Sequence, residues 1–204
     1  PIVISRKLRT RELLRILNRR IRELRFAQSG TRLSAHTQFD LLTRLIGKFC
    51  FDPELFRKYL FWVVEVNRYM AENVYNMLVP LSEELAHARR MATMIVPEAV
   101  NSSPEWMVVR GSVSDIRVPP MSIVSIVENM GKHGDLRIAD SFGLEIICLS
   151  DSLEVVSWNQ VASIRSEKSL GLGSEILRQR LSLVFGNRFL FRKIKEGGIY
   201  SLGI

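Results

Sequence analysis

Leu144-Glu145-Ile146-Ile147-Cys148-Leu149, then Ser150-Asp151-Ser152, then Leu153-Glu154-Val155-Val156-Ser157-Trp158, is the stretch on which the fold turns. Two runs rich in β-branched and apolar residues flank a short polar turn, the signature of adjacent antiparallel strands. Working outward, Leu136-Arg137-Ile138 precedes them and Val161-Ala162-Ser163-Ile164 follows. Asp140-Ser141-Phe142-Gly143 and Asn159-Gln160 punctuate the series. The pattern is a meander. A short helix is expected at about 174–181, carried by Glu175, Leu177 and Leu181. Beyond it, Gly186-Asn187 separates Leu183-Val184-Phe185 from Arg188-Phe189-Leu190-Phe191. Gly-Asn between apolar runs predicts a hairpin.

Glycine usage divides the chain. Only Gly30 and Gly47 fall in the first 100 residues, whereas ten glycines lie between Gly111 and Gly203. Pro97, Pro104, Pro119 and Pro120 cluster at the transition. The sequence therefore predicts an α+β protein in three parts. Residues 1–96 form a bundle of about four helices, 97–120 a linker, and 121–204 a mainly antiparallel β meander and hairpin domain. The helices are expected at about 8–27, 34–49, after Asp52 with Pro53 at the first helical position, and 72–94 with a kink or break at Pro80. Aromatic density from Phe49 to Trp62 reads as core packing, with base stacking as the other use of such residues.

The net charge of +8 has a definite address. Residues 1–35 hold ten of the 29 basic side chains and only Glu12 and Glu23 among the acids, while residues 36–204 are neutral. Leu13, Leu17, Ile21 and Leu24 recur at helical spacing, and Arg11, Arg15, Arg19 and Arg22 follow the same spacing on the other side. Arg grips phosphate with a planar fork of donors. Arg9, Arg11, Arg15, Arg19, Arg20, Arg22 and Arg25 are thus candidate nucleic-acid contacts, and Arg188, Arg192, Lys193 and Lys195 form a second basic patch. A solvated basic face, and a surface helix on anionic lipid, are the competing readings.

Motifs for chemistry are sparse. His36, His87 and His133 have no partners at metal-ligand spacing, and each reads as an ordinary surface or helix histidine. Cys50 and Cys148 form no framework, which suits a reducing compartment. No GxSxG elbow occurs. No catalytic residue, metal site or cofactor is expected. Gly171-Leu172-Gly173-Ser174 precedes the expected helix, and a glycine turn at a helix N-terminus binds phosphate. With no third glycine at the dinucleotide spacing and no GKS or GKT, a plain strand–turn–helix connection is the preferred reading. Asp135, Asp140, Glu145, Asp151 and Glu154 alternate through the meander as turn formers or cross-strand partners. The longest apolar stretch, Leu60-Phe61-Trp62-Val63-Val64, is far short of the roughly 18–20 residues that span a bilayer. The chain begins with Pro1, so a targeting segment ahead of it stays open.

Two resemblances bear on function. Residues 33–56 run from Leu33-Ser34-Ala35-His36 through Leu41-Leu42 and Gly47 to Phe51-Asp52-Pro53-Glu54-Leu55-Phe56. They resemble a helix-pair unit of organellar, octotricopeptide-type RNA-binding proteins, with no second copy at a fixed period. The resemblance implies RNA in an organelle. Ile138-Ala139-Asp140-Ser141-Phe142-Gly143-Leu144 resembles the core of a helix-turn-helix, with residues 183–195 as a wing. The leading expectation is a non-enzymatic, RNA-binding structural subunit of a ribonucleoprotein, such as the mitochondrial ribosome or its assembly machinery, in the mitochondrial matrix. RNA and neighbouring proteins of the complex would be its partners, with the oligomeric state open. The alternatives are a scaffold on an anionic membrane surface and a winged-helix DNA regulator, with the cytoplasm as the other compartment.

Overall fold

The computed structural model describes residues 12, 14–29, 43, 53–95, 105–134, 142–160, 172–196 and 199–203. The described helices are α1 (residues 14–29), α2 (Pro53–Glu72), α3 (Leu81–Ile95), α4 (Ser122–His133) and α5 (Leu172–Phe185). The described strands are β1 (Val79–Pro80), β2 (Met107–Arg110), β3 (Arg117–Val118), β4 (Phe142–Cys148), β5 (Leu153–Gln160), β6 (Arg192–Glu196) and β7 (Ile199–Gly203). The class is α+β.

Strands β4 and β5 pair antiparallel, from Phe142 with Asn159 to Cys148 with Leu153, across the turn at Ser150-Asp151-Ser152. The two runs are thus the adjacent antiparallel strands that the sequence predicts. The sheet around it differs from a plain meander. Its order is β2-β4-β5-β7-β6, and β2 joins β4 in parallel, with Met107 opposite Leu144. Residues 107–110 thus enter the sheet as an edge strand. Strands β6 and β7 pair antiparallel at the other edge. Along β5, Val155, Ser157 and Asn159 are buried while Glu154, Val156 and Gln160 are exposed, so one face is covered and the other open.

Three further elements depart from expectation. Residues 122–133 form a helix, although no helix is expected there. Ile123, Val124, Ile126, Val127 and Met130 are all buried, so the helix inserts between α3, α5 and the covered face of β5. Residues 183–185 belong to the end of α5 rather than to a strand. Gly186 takes φ +63 and donates its N–H to the Ser182 carbonyl at 2.9 Å, so Gly-Asn ends a helix instead of turning a hairpin. Residues 72–94 are not one helix: Pro80 ends β1 immediately before α3, where its missing N–H is harmless, so the interruption at Pro80 is a break and not a kink. The second expected helix, the run at 136–138 and the run at 161–164 lie outside the described residues, Thr43 excepted.

The winged-helix alternative fails on this fold. It requires helices across residues 138–158, and β4 and β5 occupy residues 142–148 and 153–160. Among the described residues, no helix is long and apolar enough to cross a membrane.

Candidate functional site

The densest polar chemistry lies where α3, α4 and α5 meet. Helix α4 has no cap of its own: Met121 stands at the N-cap with φ +66 and offers no side-chain acceptor. Glu84 of α3, fully buried, supplies it from a distance. Its Oε1 accepts the Met121 N–H at 2.6 Å, and its Oε2 accepts those of Ile123 at 2.9 Å and Val124 at 3.4 Å. The Tyr69 hydroxyl of α2 donates to the same carboxylate. Orphan N–H groups and the positive end of the helix dipole favour an anion at this place. Burial pushes the Glu84 carboxyl above the usual range, against the pull of these hydrogen bonds. Burial, then the neighbouring Glu84, pushes Tyr69 well above its ordinary value.

Arg180 of α5 joins the junction with only 2 % of its surface exposed. Its guanidinium stacks over the Phe26 ring of α1 at 4.1 Å, and its Nε has no hydrogen-bond partner. Burial pulls its pKa down to about 10, while the charge of Glu84 holds it up. His87 stacks on Tyr69 at 4.0 Å between centroids, and burial lowers its pKa below the usual imidazole range.

Two turns along α4, Asn129 meets the start of α5. A Cβ added at Gly173 would stand 3.1 Å from the Asn129 Oδ1 and 3.4 Å from its Nδ2. Only a glycine lets the first turn of α5 come this close without moving the carboxamide. The Asn129 Nδ2 is buried and has no hydrogen-bond partner. A buried amide donor left unpaired is unfavourable, and such groups in folded proteins call for an explanation. Here an unpaired donor faces the N-terminal turn of a helix, which presents N–H groups and a positive dipole end. Together they suit an anionic group.

The sequence-stated candidates are placed otherwise. Arg15, Arg19, Arg20, Arg22 and Arg25 lie on exposed positions of α1, and Arg188, Arg192, Lys193 and Lys195 on exposed positions after α5 and on β6. Arg9 and Arg11 lie outside the described residues. Glu23 accepts from both Arg19 and Arg20 at 3.1 Å, so two of the arginines are already paired within their own helix. Strand β6 is a sheet edge, where charge also blocks unwanted strand pairing. Glu145 pairs with Arg110 at 2.8 Å across β2 and β4, as a cross-strand ion pair. Among the described residues, no group of His, Cys, Asp and Glu is arranged to hold a metal.

Sequence reasoning picked out the Gly171–Ser174 turn but missed Asn129 and Glu84. The signal for α4 was present in Ile123, Ile126, Val127 and Met130, an apolar stripe at helical spacing. Glu84 carried no such signal, because its partners lie 15 to 40 residues away.

No protein-family model matches the chain, and no curated protein matches it in sequence. Among solved structures it is similar to a bacterial phosphotransferase at 10% identity, covering 88% of this chain and 95% of that one with a TM-score of 0.47. It is similar to the Acinetobacter baumannii histidine kinase AdeS at 14% identity, covering 83% and 95% with a TM-score of 0.38. A histidine kinase from Burkholderia phymatum STM815 matches at 11% identity, covering 93% and 96% with a TM-score of 0.33. These matches run against the octotricopeptide-type resemblance, the RNA-binding ribosomal or mitochondrial subunit, the membrane scaffold and the expectation of no enzyme. Those expectations are corrected: the proteins matched are kinases and a phosphotransferase.

Proposed function

We propose that the junction of α4 and α5 binds the phosphate groups of a nucleotide, and that the chain is the nucleotide-binding part of a signalling protein of the histidine-kinase kind. The observation that carries this reading is the Asn129 carboxamide, whose buried and unpaired Nδ2 lies against Gly173 in the first turn of α5. A phosphate oxygen would accept from the amide donor and from the N–H groups of the α5 N-terminus. It would supply the acceptor that Asn129 lacks. Gly173, from the glycine-rich run that precedes the expected helix, lies at this same place.

The reading is tested by calorimetric titration of the whole chain with ADP and ATP in the presence of magnesium. Asn129→Asp puts a carboxylate where a donor stood, and should weaken binding about tenfold or more, or about 1.4 kcal/mol. Gly173→Val should act in the same direction, because its side chain displaces Asn129. Absence of binding by the natural chain at millimolar nucleotide overturns the proposal. So does unchanged affinity in both variants.

A further inference from the structure

The Glu84 carboxylate touches or faces every described helix around the site except α1. It accepts from Tyr69 on α2, belongs to α3, closes the N-terminus of α4, and acts on the charge of Arg180 on α5. We infer that Glu84 is a positioning residue for the Asn129–Gly173 site, through which the α2–α3 helix pair sets the placement of α4 and so of the nucleotide. This inference rests on the proposed function and names how that site is controlled.

The argument is geometric. Asn129 lies seven residues beyond Ser122, or about 10 Å along the helix axis. A helix moves as a stiff rod over such a distance, so the position of its first turn fixes the position of its second and third. Among the described residues, the first turn of α4 is held locally by the Ser122 hydroxyl and N–H on the Pro119 carbonyl, at 2.6 and 3.2 Å, and by the Ser125 hydroxyl on the Met121 carbonyl. The remaining anchor is Glu84. Farther along, α4 lies tight against α3, because a Cβ at Gly131 would overlap the Ile95 side chain. Helix α4 therefore follows α3 at both ends of its length. Tyr69 makes the connection three-way, and its ring is in turn stacked with His87. A shift of α2 against α3 breaks or remakes the Tyr69 bond and moves the carboxylate on which α4 hangs. Arg180 and Phe26 extend the same joint to α1.

The inference predicts that Glu84 and Asn129 act on nucleotide through one geometry. Glu84→Gln keeps the shape but loses the charge and one acceptor oxygen. It should weaken ADP binding about five- to tenfold. In the double variant with Asn129→Ala, the two losses should not add. Additive losses overturn the inference, since a merely structural role lowers the folded population independently of Asn129. Thermal unfolding of each variant checks that the titrations are made on folded protein.

A second readout needs no nucleotide. The Asn129 side-chain amide resonances, identified by their loss in Asn129→Ala, should shift in Glu84→Gln and in Tyr69→Phe. Unmoved resonances overturn the inference even where nucleotide binds. If the natural chain binds no nucleotide but the resonances move, the coupling stands and the functional reading falls.

Discussion

Helix α1 and the α3–α4–α5 junction treat charge in opposite ways. On α1 the arginines are many, exposed and partly paired with Glu23 in their own helix. The apolar residues Leu14, Ile16, Leu17, Ile21 and Leu24 of that helix are 42 to 61 % exposed. At the junction the charges are few, buried and bound to groups far away in sequence. An exposed pair contributes at most about 1 kcal/mol, because water screens it. A buried carboxylate holding three backbone N–H groups and a tyrosine hydroxyl is worth several times that when one partner is removed. The net charge of the chain is thus a poor guide to where its chemistry lies.

The largest effect should come from removing the buried charge. Glu84→Leu leaves the N–H groups of Met121, Ile123 and Val124 and the Tyr69 hydroxyl without their acceptor, and should cost about 3 kcal/mol or more in urea unfolding. A loss below about 1 kcal/mol would make the junction no different from α1. Next comes the tie between the two regions. Phe26→Ala uncovers Arg180 and empties a fully buried ring site, for an expected loss of about 3 kcal/mol. Gly131→Val forces α4 away from Ile95 and should cost about 2 kcal/mol, measured the same way.

The pH dependence sharpens the comparison further. Burial lowers the His87 pKa in the folded chain, so the unfolded chain binds the proton more readily. The stability owed to neutral His87 is present above the ordinary imidazole pKa of 6.5 and is lost as pH falls below it, toward the lowered folded value. In His87→Gln the slope of unfolding free energy against pH should flatten in that window. An unchanged slope would remove His87 from the joint. The smallest effect is expected on α1. Replacing Arg15, Arg22 and Arg25 with Gln should change stability by no more than about 0.5 kcal/mol, since all three stand at exposed positions on the helix.

The β4–β5 pair was legible because its signal is local: two β-branched runs and a polar turn place each residue opposite its partner. Helix α2 was equally plain from Pro53 and the stripe through Tyr59, Val63 and Val66. What failed was every feature fixed by distant contacts. Leu183-Val184-Phe185 reads as a strand by composition, yet α5 continues through it, and Leu177 and Leu181 hold that helix in the core. Strand β2 carries four residues, too few to show a period, and joins the sheet only because β4 offers a parallel edge. Of the site, Gly173 stood in a recognisable turn. Asn129 was invisible without α4, and Glu84 looked like one more acid on an amphipathic helix.

In the proposed function, phosphate is held by the unpaired amide of Asn129 and not by the arginines of α1. The direct test is ADP affinity measured side by side in the natural chain, in Asn129→Asp, and in the variant with Arg15, Arg19, Arg20, Arg22 and Arg25 all changed to Gln. The account predicts a loss of about tenfold or more in Asn129→Asp and a change within about twofold in the arginine variant. Full affinity in Asn129→Asp, with loss in the arginine variant, would contradict it.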